Sequence, residues 1–143
     1  MNCRFPLVWL LLLVPLIVCF AADPAQEVWD LLTEVASGLS ERNPEAVLAA
    51  FDPAMPGYDQ LRANVTALLR NAEVRSSIEL ESDEGDGESR SEELNWLLNI
   101  RPEQEATAST RRQQLVKCRL RRIGKKWRIV GFEPLAFLAA PDK

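Results

Sequence analysis

The spacing of apolar residues changes once along the chain, near Glu73, from a helical period to a strand period, and this change constrains the fold most strongly. Three helical segments precede it. The first starts with the cap residue Asp23 followed by Pro24, and the second repeats this signal at Asn43 and Pro44. Apolar residues on one face of the first segment are expected to be buried: Val28, Leu31, Leu32, Val35, Ala36 and Leu39.

Apolar and polar residues alternate after this point, which predicts half-buried strands. The third helical segment, residues 58–72, ends where the alternation begins, and Gly124 marks a tight hairpin turn between the last two strands. Because helices come first and strands follow through short turns, we predict an α+β domain. Its three N-terminal helices would pack on one face of a four-stranded antiparallel sheet. The predicted strands are residues 74–82, 93–101, 115–121 and 127–138.

The N-terminus has the pattern of a secretory signal peptide. Arg4 precedes a continuous apolar run, and small residues follow it. Cleavage after Ala21 would place two small residues, Cys19 and Ala21, at the small-residue positions before the cut. We therefore expect residues 1–21 to be a signal peptide, residues 22–143 to form one domain, and the protein to be periplasmic or extracellular. An uncleaved membrane anchor and lipid attachment at Cys19 are the alternatives.

The chain contains no His, which limits the chemistry that it can perform. His is the usual general base near neutral pH and the commonest metal ligand. A Ser-His-Asp triad, a Cys-His dyad and a His-based zinc site are therefore excluded. Cys118 is the single cysteine of residues 22–143, so this region has no internal disulfide. We expect no metal and no cofactor.

Positive charge is concentrated late in the chain. Residues 111–128 carry nine bases and no acid, whereas residues 22–110 carry 19 acids and six bases. A basic run is typical of nucleic-acid-binding arms. The formal net charge of −4, however, does not fit the basic footprint that such proteins have.

The alternation within the basic run gives it a different meaning. Lys117, Arg119 and Arg121 fall on the face opposite the core, and Glu79 and Glu81 fall on that face of another strand. We predict a solvent-facing sheet surface with charges of both signs, where each exposed ion pair contributes only about 0–1 kcal/mol. No nucleic-acid partner is expected, and an anionic ligand or membrane surface is the alternative.

Several of these segments resemble the nuclear-transport-factor-2-like, or SnoaL-like, superfamily. They are the three helices, "FDPAMPGYDQL", "ELNWLLNI" and the ending "KWRIVGFEP", in which Trp, a basic residue, Ile and an aromatic follow one another. The resemblance covers Pro24 to Pro141 and is closest to exported bacterial members of unknown role. It implies a cone, in which a strongly curved, cystatin-like sheet wraps round a long helix and leaves a pocket at the open end.

The catalytic positions that the resemblance implies are largely unfilled in this chain. Ketosteroid-isomerase-like members use a Tyr on the first helix, where this chain has Trp29, and a strand acid that "ELNWLLNI" does not supply. Asp52 in "FDP" matches the position of their base. The alternative for Asp52 is a helix terminator and turn former before Pro53.

Glu133 is a second candidate carboxylate. If Gly124 and Lys125 form a two-residue loop, Glu133 falls opposite Val116 on the side of the sheet that faces the core. Burial there would raise its pKa and suit it to act as a general acid or base. The alternative is a strand that bends at Pro134 and leaves Glu133 in water.

An exported domain that binds a small apolar or amphipathic ligand, or serves as an interaction module, fits these features best. No catalytic activity is assignable. A lyase or isomerase with a pocket carboxylate is one alternative, and an assembly protein that acts through its sheet face is another. We expect no membrane span after signal cleavage. Formation of a homodimer through the sheet is an alternative that the sequence leaves open. The candidate pocket-lining residues, each of which would otherwise belong to the core, are Trp29, Tyr58, Trp96, Cys118 and Trp127.

Export gives the first prediction. Because the basic start, apolar run and small residues lie in the order of a signal peptide, the mature protein should begin at Ala22 or Asp23. N-terminal sequencing of protein recovered from the exported fraction would measure this. Intact Met1 in the membrane fraction would contradict it and support the anchor instead.

Overall fold

A computed structural model describes residues 23–104 and 108–141 of the chain. The expected order of helices and strands is confirmed, but the last strand ends at Glu133, and Leu135–Leu138, predicted to lie in that strand beyond Pro134, form a short 3-10 helix. The expected signal peptide, residues 1–21, lies outside the described residues. Within the described part, no helix has both the length and the hydropathy to cross a membrane. The elements are α1 (Pro24–Ser40), α2 (Pro44–Leu48), α3 (Tyr58–Asn71), β1 (Ala72–Gly85), β2 (Ser89–Pro102), β3 (Thr110–Ile123), β4 (Lys126–Glu133) and the 3-10 helix Leu135–Leu138.

The first two helices start at the caps that the sequence predicts. The Asp23 side chain accepts a hydrogen bond from the Ala25 amide, and the Asn43 side chain accepts one from the Ala46 amide. The two helices pack closely at Gly38, where an added Cβ would lie 2.9 Å from the Val47 side chain. The predicted apolar face of α1 is buried apart from Leu31, which is half-buried.

The four strands form one antiparallel sheet in the order β1-β2-β3-β4. Its concave face carries the alternating apolar residues and packs against the helices, as predicted for β2 and β3. The expected core residues of these two strands are all buried: Leu94, Trp96, Leu98, Ile100, Val116, Cys118 and Leu120. The curved sheet and the three helices make an α+β fold with one continuous hydrophobic core.

Aromatic side chains fill the space that the curved sheet encloses. The Trp96 ring is fully buried and contacts Phe132 and Phe137 at centroid distances of 6.0 and 5.8 Å. Phe51 packs edge-on against Phe132 at 5.6 Å. The Trp96 Nε1 atom donates a hydrogen bond of 2.8 Å to Ser76 Oγ, so the buried indole is satisfied. The interior of the cone is therefore a packed core.

The expected register of the β3–β4 hairpin is confirmed near the turn and wrong beyond it. Ile123 pairs with Lys126 and Leu120 pairs with Ile129, as a two-residue loop requires. A β-bulge at Val130 then shifts the pairing by one residue. Since a one-residue shift exchanges the two faces of a strand, Phe132 enters the core and Glu133 becomes exposed.

The outer face of the sheet carries both signs of charge, but with a different acidic partner from the expected one. Lys117 Nζ lies 3.8 Å from a carboxylate oxygen of Glu93 on the neighbouring strand. Glu79 and Glu81 lie on β1, which β2 separates from β3. Glu79 pairs with Asn95 of β2, and Glu81 is the unpaired residue of a bulge in β1. The exposed Lys117–Glu93 pair contributes little to stability.

One base of the basic run has a structural role in the core. Arg122 donates to Glu27 on α1 at 3.2 Å and to the Gly87 carbonyl oxygen at 3.0 Å, and its guanidinium lies 4.8 Å from the Trp127 ring centroid. Trp127 Nε1 donates to the same Glu27 carboxylate at 3.0 Å. These contacts connect α1, the β1–β2 turn, β3 and β4.

The Trp127 side chain gives the second prediction. It is only 6% exposed, so Trp127→Ala should reduce the free energy of unfolding by about 3–5 kcal/mol, because the substitution leaves a large cavity. Trp127→Phe should cost less, since it retains most of the apolar volume and loses the hydrogen bond to Glu27. Urea denaturation of the two variants measures both effects. A wild-type midpoint for Trp127→Ala would contradict the core assignment.

Candidate functional site

An open groove of about 540 Å³ lies between α2 and the β3–β4 hairpin. Its floor is the 50–52 segment, which extends the sheet beside β4. The Ile129 amide donates to the Ala50 carbonyl oxygen at 2.8 Å, and the Asp52 amide donates to the Ile129 carbonyl oxygen at 2.9 Å. The residues that line the groove are Glu45, Leu48, Ala49, Phe51, Asp52, Pro53, Tyr58, Ile123 and Arg128.

The groove is lined by both apolar and charged side chains. Leu48 and Tyr58 are half-buried, and Ile123 is 47% exposed although it is large and apolar. The Arg128 guanidinium, from β4, donates to the Ala49 carbonyl oxygen at the end of α2, and the carboxylates of Glu45 on α2 and Asp52 beside β4 also line the groove. Such a surface suits a ligand with an apolar body and a polar group.

The structure brings two candidate site residues, Asp52 and Tyr58, into this groove. The Asp52 side chain also accepts a hydrogen bond of 2.9 Å from the Ala54 amide, which is the turn-forming role that sequence reasoning gave as its alternative. A catalytic role for Asp52 stays a prediction.

The other candidate pocket residues lie elsewhere. Trp96, Cys118 and Trp127 are buried within the core, and Trp29 is half-buried against it. None of these four residues lines the groove. Trp96, Cys118 and Trp127 lie on the concave face of the sheet, which the helices cover. Burial raises the pKa of Cys118 to about 12, with a smaller effect from the charge of Glu92, so its thiol is a poor nucleophile at neutral pH.

Glu133 borders a different cavity, of about 250 Å³, which Lys117, Arg119 and the core-side residues Glu92 and Cys118 also line. Its strand partner there is Lys117. Gly131 has no side chain, which leaves space for Arg119. A Cβ added to Gly131 would lie 2.8 Å from Nε of Arg119, so the Arg119 side chain lies across this glycine. The predicted buried carboxylate at Glu133 is therefore wrong, and the cause is the bulge at Val130.

The carboxylate that the core does contain is Glu92, which sequence reasoning missed. Glu92 is 3% exposed and lies on the core side of β2, in phase with Leu94 and Trp96. Its strand partners are Asp83 on β1 and Cys118 on β3. The signal was present in the sequence, since the alternation of β2 extends back to Glu92, but the predicted strand began one residue later.

Glu92 forms a cluster with Asp83 and Arg90 that changes the pKa of both acids. Burial raises the pKa of Glu92 to about 8, helped by its hydrogen bond with Asp83 and by the Asp83 charge, and opposed by Arg90. The same hydrogen bond lowers the pKa of Asp83, as does Arg90. Arg90 Nε donates to Asp83 at 3.0 Å and lies 3.5 Å from Glu92 Oε1, which accepts no hydrogen bond from the described residues. Glu92 therefore holds a proton at neutral pH.

The third prediction concerns the pH dependence of stability. The folded state keeps the Glu92 proton up to about pH 8, whereas the unfolded chain releases it near the ordinary value of 4.5. Wild-type stability should therefore fall as the pH rises between these values. Glu92→Gln, which cannot ionise, should flatten this fall in urea melts at pH 5, 7 and 9. Glu84→Gln, an exposed position on the same hairpin, is the control. Parallel curves for wild type and Glu92→Gln would contradict the assignment.

Known proteins are similar to this chain in structure rather than in sequence. No protein-family model matches the chain, and no curated protein matches it. A ketosteroid isomerase-like protein from Erwinia carotovora atroseptica is 10% identical, with a TM-score of 0.64 over 78% of this chain and 95% of that chain. An NTF-2 like protein of unknown function from Shewanella oneidensis is 9% identical, with a TM-score of 0.62 over 77% of this chain and 97% of that chain.

A third solved structure has the same architecture. It is a protein of unknown function with a cystatin-like fold from Nostoc punctiforme, 19% identical, with a TM-score of 0.58 over 76% of this chain and 86% of that chain. Likeness at these identities establishes the fold and leaves the activity open. The curved sheet, the three N-terminal helices and these three structures together show that the chain has the nuclear-transport-factor-2-like, cystatin-like fold.

Proposed function

We propose that this protein is an exported domain that binds a small amphipathic ligand in the groove between α2 and the β3–β4 hairpin. The observation that supports this most is the exposure of Ile123, 47% of whose surface is open to solvent beside Leu48 and Tyr58. A groove of about 540 Å³ lies within the range of roughly 300–1,000 Å³ that small-molecule sites occupy. Export is the part of the proposal that rests on the N-terminal pattern.

The packed core supports a site at this edge of the sheet. Trp96 contacts both Phe132 and Phe137 under the concave face. A ligand in that interior would have to displace these side chains, which would cost several kcal/mol. A ligand in the groove displaces only solvent from surfaces that are already exposed.

The composition of the groove indicates the chemistry of the ligand. Its apolar part would cover Ile123, Leu48 and Tyr58, which gains free energy by removing their surface from water. A negatively charged group of the ligand would be held by Arg128. A positively charged group would be held by Glu45 or Asp52. Charged and apolar side chains in one groove favour a ligand that has both a polar group and an apolar body.

A lyase or isomerase is the second candidate, and the presence of Asp52 in the same groove favours it. A general base has to come within hydrogen-bond reach of the proton that it removes. Asp52 has one oxygen engaged by the Ala54 amide at 2.9 Å, and its other oxygen would have to do this work. If turnover of any groove ligand is found, Asp52→Asn should abolish turnover while binding persists.

The fourth prediction tests the groove by filling it. Ala49 is exposed and lines the groove, so Ala49→Phe should occupy the ligand's space without disturbing the core. Anilinonaphthalene sulfonate, a fluorescent amphipathic anion, should bind wild type saturably and bind Ala49→Phe at least about tenfold more weakly. Native mass spectrometry of the purified protein would detect a carried ligand and would also show whether homodimers form.

The control for this experiment is Ala63→Phe, which adds the same ring at an exposed position of α3 outside the groove. It should bind the probe as wild type does. Urea melts of both variants would establish that each is folded. Equal weakening in the two variants, or no effect of Ala49→Phe, would contradict the proposed site.

A further inference from the structure

The tip of the β3–β4 hairpin, residues 123–126, is exposed to solvent. Gly124 takes a φ of +65° at the turn, and a Cβ added to it would meet no atom within 4 Å. Lys125 and Lys126 are exposed, and Ile123 between them and the sheet is 47% exposed. The tip therefore presents an apolar side chain next to two ammonium groups in open solvent.

Several bases of the β3–β4 hairpin form no ion pair with a carboxylate of the described residues. Within residues 23–104 and 108–141, no carboxylate oxygen lies within 4.0 Å of the charged nitrogens of Arg119, Arg121, Lys125 or Lys126. We call these four residues, together with Ile123, the tip patch. Its bases differ from others of the same run, such as Lys117 and Arg122, which pair with Glu93 and Glu27.

The strand register adds to the concentration of charge beside the tip patch. Arg121 pairs directly with Arg128 across β3 and β4. Like charges in directly opposed positions of a sheet destabilise it. An anionic surface placed against these side chains would attract both and so offset that repulsion.

We propose that the tip patch docks on the surface of an anionic lipid bilayer. Bases next to such a surface gain from its negative potential, and an apolar side chain among them can enter the boundary between headgroups and acyl chains. Ile123, Lys125 and Lys126 are exposed together at the hairpin turn. The attachment is peripheral and uses no membrane-spanning segment.

The distribution of the remaining charge orients the domain on this surface. Residues 22–110 carry 19 acids and six bases, so the body of the domain is repelled by an anionic bilayer. Residues 111–128 carry nine bases and no acid, so the hairpin is attracted. Repulsion of the body and attraction of the hairpin favour an approach in which the tip patch meets the lipid. Nucleic acid offers the same phosphate charge but no apolar layer for Ile123.

The experiment is cosedimentation of the protein that begins at Ala22 with vesicles of equal parts phosphatidylglycerol and phosphatidylcholine. Wild type should bind these vesicles at low salt, bind vesicles of phosphatidylcholine alone far less, and dissociate as salt screens the charges. The double variant Lys125→Gln, Lys126→Gln should lose at least about tenfold in affinity. Neither lysine lines the groove, so this variant should still bind anilinonaphthalene sulfonate, and the two proposals can fail separately.

The matched control is Arg62→Gln, Arg75→Gln, which removes the same charge from exposed positions on α3 and β1. It should bind the anionic vesicles as wild type does. Equal loss in the two double variants would overturn the proposal, because net charge rather than the tip patch would then explain binding. Absence of binding at low salt would also overturn it. So would equally tight, lysine-dependent binding to duplex DNA, which would identify a general polyanion site.

Discussion

Packing of Trp96 against Phe132 and Phe137 is the interaction on which the rest of the structure depends. These rings meet under the concave face at centroid distances of about 6 Å, and the indole nitrogen is satisfied by Ser76. A curved sheet of this fold can enclose either a cavity or a core, and large aromatic side chains at its centre make it a core. The surface available for a ligand therefore lies at the edge, in the groove beside β4.

Two β-bulges decide which carboxylates are buried. The bulge at Val130 turns Phe132 inward, where it contacts Trp96 and Phe51, and turns Glu133 outward beside Lys117. The bulge at Glu81 brings Asp83 rather than Ser82 opposite Glu92. A bulge inserts one residue and so exchanges the faces of everything beyond it. The position of Asp83 opposite the buried Glu92 is a consequence of backbone register.

The basic run has at least three roles in the folded protein. Arg122 connects α1 to the sheet through Glu27 and covers the Trp127 ring, and Lys117 pairs with Glu93 on the outer face. The bases near the hairpin tip pair with no described carboxylate. In the sequence these residues look alike, and their positions in the sheet separate a structural ion pair from a solvent-facing one and from an accessible cationic surface.

Local sequence signals predicted most of the fold. The caps at Asp23 and Asn43, the helical stripe of α1 and the alternation of β2 and β3 each depend on residues within a few positions of one another, so a single chain reveals them. They were sufficient for the α+β class, the order of elements and the burial of Trp96, Cys118 and Trp127. Asp52 and Tyr58 were also identified, although the sequence could not show that they face one groove with Ile123 and Arg128.

Tertiary structure decided the rest, because the deciding contacts join residues far apart in the chain. Glu27 meets Arg122 and Trp127 across 95 and 100 positions, and the groove joins α2 to a hairpin more than 70 residues later. Bulge positions depend on which side chains fill the core from other elements, and one extra residue reverses every inward and outward assignment after it. The sequence by itself therefore determined which elements form and which faces are apolar, whereas only the folded chain determined that Glu92 lies opposite Asp83, that Glu133 is outside and where a ligand can reach.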